Sequence, residues 1–371
     1  MASTVRQVSN RRELTEFVRL PRKIYCNDPL WVPPLQSDAL KELDPRRGVF
    51  YQLGEAALFI LYRDGDPVGR ISAHVNFQYE KYQDTQTGFF GFFECERDQQ
   101  SAEKLLETAG NWLREKGKRR MIGPMSFTVY DECGILCEGF DTMPVVLVAY
   151  NPPYYNDLVK GAGFEKVIDW YAFMVSRDLS IRPLFYKIRD RVMAQKDLRI
   201  VTLEMKHLDR AVADIAGIFK HAWSENWGHV PLTEGQVRHM VGQLKPVVVP
   251  ELTYLAYLDG KCIGFSLSVK DVNPALQRAN GRLFPFGFLK ILMAMPRIHR
   301  IRTIAMGVLK PYRHRGIDIA FYLNTIEKGV SMGYVESECS IIVESNKRMI
   351  GALEDLSARR YKTFRIYGAE L

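Results

Sequence analysis

Two stretches in opposite halves of the chain follow one plan. "ALFILYRDGDPVGRISAHV" (57–75) and "LTYLAYLDGKCIGFSLSV" (252–269) each set an apolar, β-branched run on both sides of an Asp-Gly dipeptide. Asp-Gly supplies the two positive-φ positions of a two-residue hairpin turn, so each stretch predicts strand, tight turn, strand. A lone hairpin is not stable in water, and its apolar face calls for further strands and helices. The segments downstream of the two hairpins are also alike. After the first come a helix over 98–117, an apolar strand "PVVLVAY" (144–150) and the Asn-led "NPPYYNDLVKGAGF" (151–164). After the second come the strand "IRTIAMGVL" (301–309), a helix near 316–332, the strand "ECSIIVES" (338–345) and the Asn-led "NKRMIGALEDLSARRY" (346–361). The order is hairpin, helix, strand, Asn, helix, twice over. Two copies of one mixed α/β unit explain this better than one large domain.

A chain of 371 residues suits two cores of about 150 residues each. The expected division is 1–176, a charged linker helix over 177–197, and 198–371. With 47% hydrophobic and 25% charged residues the composition is that of an ordinary globular protein. The start, "MASTVRQVSNRRELTEF", has no apolar h-region, so no secretory signal is expected. The longest apolar stretch, "LFPFGFLKILMAM" (283–295), is broken by Pro285 and Lys290 and is too short to span a bilayer. Of six cysteines only Cys133 and Cys137 are close, and no second pair completes a zinc pattern. No metal is expected, and the thiols read as reduced ones in a cytoplasm. Cys133 has neither an adjacent His nor a cationic neighbour to activate it as a nucleophile. The net charge of +8 gathers in "REKGKRR" (114–120), "RHR" (313–315) and "ARRYKTFR" (358–365). Such clusters suit a phosphorylated cofactor, an anionic lipid surface or nucleic acid, and equally plain solvated faces.

The second half carries the more telling motif, "GVLKPYRHRGIDIAFYL" (307–323). An apolar strand enters a basic turn, and Gly316 opens a helix whose Ile319, Leu323, Ile326 and Val330 share one face. Free N–H groups and the dipole at a helix N-terminus attract phosphate, and a glycine lets a diphosphate approach the backbone. Here the chain resembles the GNAT superfamily of acyl-CoA N-acyltransferases. Residues 313–318, "RHRGID", match the Arg and the first Gly of that family's Arg/Gln-x-x-Gly-x-Gly/Ala loop and depart from it at Asp318. A carboxylate there repels a diphosphate, an effect that Arg313, His314 and Arg315 are expected to offset.

The resemblance implies an α/β architecture of two tandem GNAT-like mixed-sheet domains packed side by side. It also implies acyl-CoA or acetyl-CoA as co-substrate, held by Val308, Leu309, Arg313, His314, Arg315, Gly316, Ile317 and Asn346. The first half ends like the family in "YNPPYYNDLVKGAGF" (150–164). In place of the phosphate loop it has the acidic "GFFECERDQQSAEKLL" (91–106). That half is expected to shape the substrate site without binding CoA.

Moving an acyl group from a thioester to an amine needs a base for the amine, a donor for the oxyanion and an acid for the thiolate. In this family the oxyanion donor is a backbone N–H of the strand before the phosphate loop, here Met306 to Leu309. The tyrosine that usually protonates the thiolate is replaced by Leu353 or Glu354. Glu344 ends the strand "IIVES" and is a candidate base. "WSENWGHVP" (223–231) offers Glu225 and His229 as bases and Trp227 as a substrate contact, in either a lid or a packed turn. Asp131 and Glu132, in "TVYDECGILCEGF" (128–140), are candidates for holding the amine, or plain turn residues.

Between the second hairpin and its following strand lies "NPALQRANGRLFPFGFLKILMAMPRIHRIR" (273–302), rich in Phe, Leu and Met. It reads as core, as an acyl channel, or as a peripheral membrane contact through 283–302. With "NDPLWVPP", "ENWGHVPLT" and "GRLFPFGFLK" the whole chain resembles bacterial tandem-GNAT proteins that include bacterial-type ceramide synthases. A long-chain acyl group and a sphingoid or other lipid amine are then the expected substrates, at a cytoplasmic or inner-membrane-surface location. The other readings are an acetyltransferase of a small amine or peptide, a Fem-like transferase using aminoacyl-tRNA, and a non-catalytic acyl-CoA-binding protein. Nucleic acid is expected only for the tRNA reading. The sequence gives no oligomeric state.

Overall fold

The computed structural model describes Ser3 to Leu371. In chain order the elements begin β1 (Ser3–Gln7), α1 (Arg11–Arg19), α2 (Pro21–Ile24), α3 (Gln36–Glu42), β2 (Gly54–Arg63), β3 (Asp66–Asn76) and α4 (Phe77–Tyr82). They continue with β4 (Thr87–Cys95), α5 (Gln99–Glu115), β5 (Arg120–Gly123), β6 (Ile135–Glu138), α6 (Tyr155–Gly161) and β7 (Glu165–Ser176). Next are α7 (Pro183–Met193), β8 (Leu198–Thr202), α8 (Leu208–Ala222), α9 (Glu234–Leu244), β9 (Tyr254–Leu258) and β10 (Lys261–Lys270). The rest are α10 (Asn273–Ala279), α11 (Gly287–Ala294), β11 (Arg300–Val308), α12 (Ile317–Ser331), β12 (Glu336–Val343), α13 (Lys347–Asp355) and β13 (Arg359–Glu370).

These elements form two compact units, the first of Met1–Trp170, Asn273–Pro296 and Lys362–Leu371, the second of Tyr171–Val272 and Arg297–Tyr361. The division is not one of contiguous halves. The segment 273–296 belongs with unit 1 because Asn273 donates to Pro144 O (2.8 Å) and Gln277 donates to Pro29 O (2.8 Å). The residues 177–197 expected as a separate linker contain α7, which lies in unit 2 and buries Phe185 and Val192 in its core.

In unit 1, β1, β2, β3 and β4 are successive antiparallel neighbours, β5 joins β4 in parallel, and β13 pairs antiparallel with β5 and β6. The Asp64-Gly65 turn has the expected positive φ at both positions, 50° and 91°. Helix α5 covers the sheet with Ala102, Leu105, Leu106, Ala109 and Leu113, all buried at helical spacing against Ile71 and Phe90. Each leucine removed from water there contributes about 2 kcal/mol.

Unit 2 repeats the pattern. Strands β8, β9, β10 and β11 are antiparallel neighbours and β12 joins β11 in parallel. Its Asp259-Gly260 turn again has φ of 49° and 77°. Helix α12 buries Ile317, Ala320, Phe321 and Leu323; of the face expected from sequence, Leu323 is buried, Ile319 and Ile326 are half-buried and Val330 is exposed.

One predicted element is absent. "PVVLVAY" (144–150) forms no strand, although Val145, Val146 and Val148 are buried. Pro144 at its head and the Pro152-Pro153 pair behind it withdraw the N–H groups a ladder needs, and a short apolar run fits a buried loop as well as a strand.

Candidate functional site

The site in unit 2 begins with two strands that separate. Strands β11 and β12 pair from Arg300↔Glu336 to Thr303↔Cys339 and no further. On the other edge of β11 the register with β10 shifts between Leu267 and Ser268, so that Ile304 stands opposite no residue. An extra residue bends its strand. The bend carries the end of β11 away from β12 while keeping it on β10 to Val308. Leu309 N–H donates to Ile263 O (2.9 Å), so by the alternation of an antiparallel pair the N–H groups of Met306 and Val308 face away from β10. They lie on the opening between the strands.

The turn after β11 leads to α12. Its N-cap is Gly316, left-handed at φ 81°, and no side chain caps it. His314 is also left-handed (φ 67°). The N–H groups of Gly316, Ile317 and Asp318 have no hydrogen-bond partner among the described residues. Alternating backbone handedness with free N–H groups at a helix start makes a concave anion site. The same position in unit 1 is filled. There Asp98 caps α5 by accepting from Ser101 N–H (3.0 Å) and is paired with Arg63 (2.7 Å). The opening beside β4 is filled as well: Met125 N–H donates to Phe90 O (2.8 Å), and Glu94 accepts from Tyr25 (2.9 Å) and Tyr155 (2.7 Å). Burial raises the titration of that Glu94 carboxyl.

The predicted residues take varied places. Arg313 turns back from the anion site: its Nε donates to Val308 O (3.1 Å) and its Nη2 to Ala222 O (3.0 Å), tying the turn to β11 and to the end of α8. His314 and Arg315 are exposed, and Arg315 lies over the Tyr312 ring at 5.4 Å. Ile317 is buried in the core. The charge that faces Asp318 comes from none of Arg313, His314 and Arg315 but from Arg348 on α13, at 3.1 Å. Asn346 is the N-cap of α13, accepting from Met349 N–H (3.2 Å). The glycine at 316 is required by its φ and by α7, since a Cβ there would lie 2.5 Å from Ile188 Cγ2.

Among the candidate bases, Glu225 is an exposed strut. It accepts from Lys310 (2.6 Å), and that hydrogen bond holds its carboxyl below the usual range. His229 is buried beside Phe219 (6.1 Å between rings), and burial lowers its titration, so the imidazole is neutral at pH 7. Phe219 stacks on Trp223 (4.5 Å), and Trp223 packs where a Gly307 side chain would be, so a chain of contacts runs from His229 to β11. Trp227 is half-buried in the same loop. Glu344 is half-buried in the turn directly after β12, on the strand that parts from β11. Leu353, at the position expected for a tyrosine acid, is fully buried and Glu354 is exposed.

In unit 1, Asp131 and Glu132 lie in a turn with much of their surface open to solvent, and Asp131 accepts from Thr128 Oγ1 (2.6 Å). The atoms crowded around the inner side of the Asp131 carboxyl desolvate it and push it up to about 6. A third carboxylate joins them that the sequence did not flag. Glu42, at the end of α3, is pushed up to about 8 by burial and then by the negative charges of Asp131, Glu132 and Asp38. Arg348 was missed in the same way, since nothing in either local sequence links it to Asp318. Among the described residues no group of three His, Cys, Asp or Glu side chains is arranged to hold a metal ion, and no helix is long and apolar enough to cross a membrane.

No family model matches the chain. It is 31% identical to the bacterial ceramide synthase of Caulobacter vibrioides (strain NA1000 / CB15N), over 97% of this chain and 95% of that protein. It is 30% identical to protein YghO of Escherichia coli (strain K12), over 99% and 95%. Solved structures of the same fold include a tandem GNAT protein from the clavulanic acid biosynthesis pathway, at TM-score 0.56 and 10% identity over 100% of this chain and 98% of that one. Another is a GCN5-related N-acetyltransferase from Sphaerobacter thermophilus, at TM-score 0.53 and 13% identity over 99% and 95%. The full-length relationship, the hairpin–helix–strand order in both units and the parted strands of unit 2 agree, and the chain belongs to the bacterial ceramide synthase group of GNAT-type, amide-forming acyltransferases.

Proposed function

We propose that the chain transfers a long-chain acyl group from acyl-CoA to the primary amine of a sphingoid or related lipid. The observation that carries the reading is the parting of β11 and β12 beside an uncapped α12. The residues present fit a diphosphate: three free N–H groups, a left-handed turn, and exposed His314 and Arg315 at its rim. The long-chain and lipid parts of the reading rest on the full-length similarity to a protein named for ceramide synthesis.

The chain's own groups then divide the work. In unit 1 the carboxylates of Asp131 and Glu132 recognise a cationic amine, and Glu42 adds its charge only once it ionises, above about pH 8. Glu344 takes the proton the amine must lose, with the neutral His229 as the second base. The N–H groups of Met306 and Val308 donate to the carbonyl oxygen as charge develops on it. The carbon–nitrogen bond forms, the carbon–sulfur bond breaks, and the leaving thiolate takes its proton from solvent, since Leu353 supplies none. Asp318 is no bar to a diphosphate here, because Arg348 balances its charge.

The test is product mass spectrometry on purified protein offered acetyl- to stearoyl-CoA and either a sphingoid base or small amines. Long-chain amide on the sphingoid base, with kcat/KM rising with acyl length, is expected. Glu344→Gln should lower kcat by about 100-fold or more. Faster acetylation of small amines would overturn the lipid reading.

A further inference from the structure

Helix α11 is built inside out. Gly287 and Ala294 are its buried residues, while Phe288, Leu289, Leu292 and Met293 face solvent, Met293 with 75% of its surface. Just before it, Phe284 and Phe286 are 81% and 67% exposed. Small residues meet the protein and large apolar ones meet water, the reverse of what folding alone favours. Nor is the segment loosely attached. Arg22 donates to Asn280 Oδ1 (2.9 Å) and Asn280 O (2.6 Å), and Gln36 N–H donates to Gly281 O (3.0 Å). The base from which the aromatic residues project is therefore fixed.

Its charge is one-sided. From Asn273 to Pro296 there is no Asp or Glu, while Arg278, Arg282 and Lys290 are exposed. Arg19 and Arg22 add to them on unit 1, close enough that Arg282 and Arg19 lower the Arg22 titration after burial does. A two-fold contact with a second copy would set these cations against themselves. An anionic bilayer supplies what the surface lacks, an apolar layer beneath negative headgroups.

We infer that residues 282–293 of unit 1 are a bilayer-docking element: Phe284, Phe286, Phe288 and Met293 enter the acyl-chain boundary, and Arg282 and Lys290, with Arg278 just before the element, lie among anionic phospholipid headgroups. This deepens the lipid-substrate reading, on which its purpose rests. It narrows the segment expected from sequence, because 300–302 open strand β11, where Ile301 and Arg302 are buried.

Flotation of the full chain with vesicles tests it, using phosphatidylcholine alone or with about 30% phosphatidylglycerol. Binding at least tenfold stronger to the anionic vesicles, weakened by 0.5 M salt, is expected. The triple variant Phe284→Ser, Phe288→Ser, Met293→Ser should lose vesicle binding at least tenfold while keeping its melting temperature. It should also keep its kcat/KM with a short, water-soluble acyl-CoA and amine. Arg282→Glu with Lys290→Glu should abolish the preference for phosphatidylglycerol. Absence of wild-type flotation overturns the inference. So does a concentration-dependent dimer that the triple variant abolishes without any change in vesicle binding. Docking without acyl transfer would count against the proposed reaction alone, and transfer without docking against this surface alone.

Discussion

Arg348, in the first turn of α13, holds its guanidinium 3.1 Å from the carboxylate of Asp318, in the first turn of α12. The departure from the family loop is thus compensated from another element. Removing the arginine leaves a carboxylate beside the N–H groups proposed to bind diphosphate. Arg348→Ala should raise the acyl-CoA Kd about three- to tenfold at low salt, with the effect shrinking at 0.5 M salt. Asp318→Ala in the same chain should restore most of the affinity. Calorimetric titration of both variants checks this, and equal affinity for wild type and Arg348→Ala would remove the role given to the pair.

Gly316 gives a different lesson. Its left-handed φ costs a non-glycine residue about 1 kcal/mol or more, and an added Cβ would meet Ile188 Cγ2 at 2.5 Å. Gly316→Ala should therefore lower the melting temperature by several degrees before any question of ligand arises. Pairing it with Ile188→Ala should recover the part due to the clash. A Gly316→Ala variant as stable as wild type would show that the turn relaxes freely.

Asp98 occupies in unit 1 the helix start that is left uncapped in unit 2. It caps α5 and pairs with Arg63, so Asp98→Ala should cost about 1–2 kcal/mol in urea unfolding. Acyl-CoA affinity should not change, because no diphosphate is expected at that helix. A rise in the number of acyl-CoA sites on opening this cap would instead mean that unit 1 retains a cryptic cradle.

The features legible in the sequence were local ones. Asp-Gly fixes a hairpin within four residues, and both hairpins form where expected. The strand–turn–helix at 307–323 is equally local, because Gly316 and the helical repeat after it lie within one window. The features that escaped it depend on distant partners. Arg348 meets Asp318, and Glu42 meets Asp131, only after the chain has folded. Arg313 looked like a phosphate ligand because its charge was visible, whereas the carbonyls of Val308 and Ala222 that capture it were not. The apolar run 283–295 shows the same limit: its composition admits core or surface, and only the burial of Gly287 and Ala294 sends its large side chains outward.

Glu42 allows stability and function to be separated by pH. Its folded carboxyl titrates at about 8, above its unfolded value, so the protonated form is the one the fold accommodates. The contribution it makes is complete below about pH 4.5 and is lost as pH rises towards 8. Glu42→Gln keeps the shape of the neutral acid and removes the ionisation. The variant should match wild type near pH 4.5 and be more stable than wild type at pH 9, read as a higher urea midpoint. It should also bind the amine less tightly, since one of three carboxylates is gone, raising the acceptor KM several-fold above pH 8 with kcat little changed. Identical urea midpoints at pH 9 would show that Glu42 ionises without penalty. A higher midpoint with an unchanged acceptor KM would keep the buried acid and remove it from amine recognition.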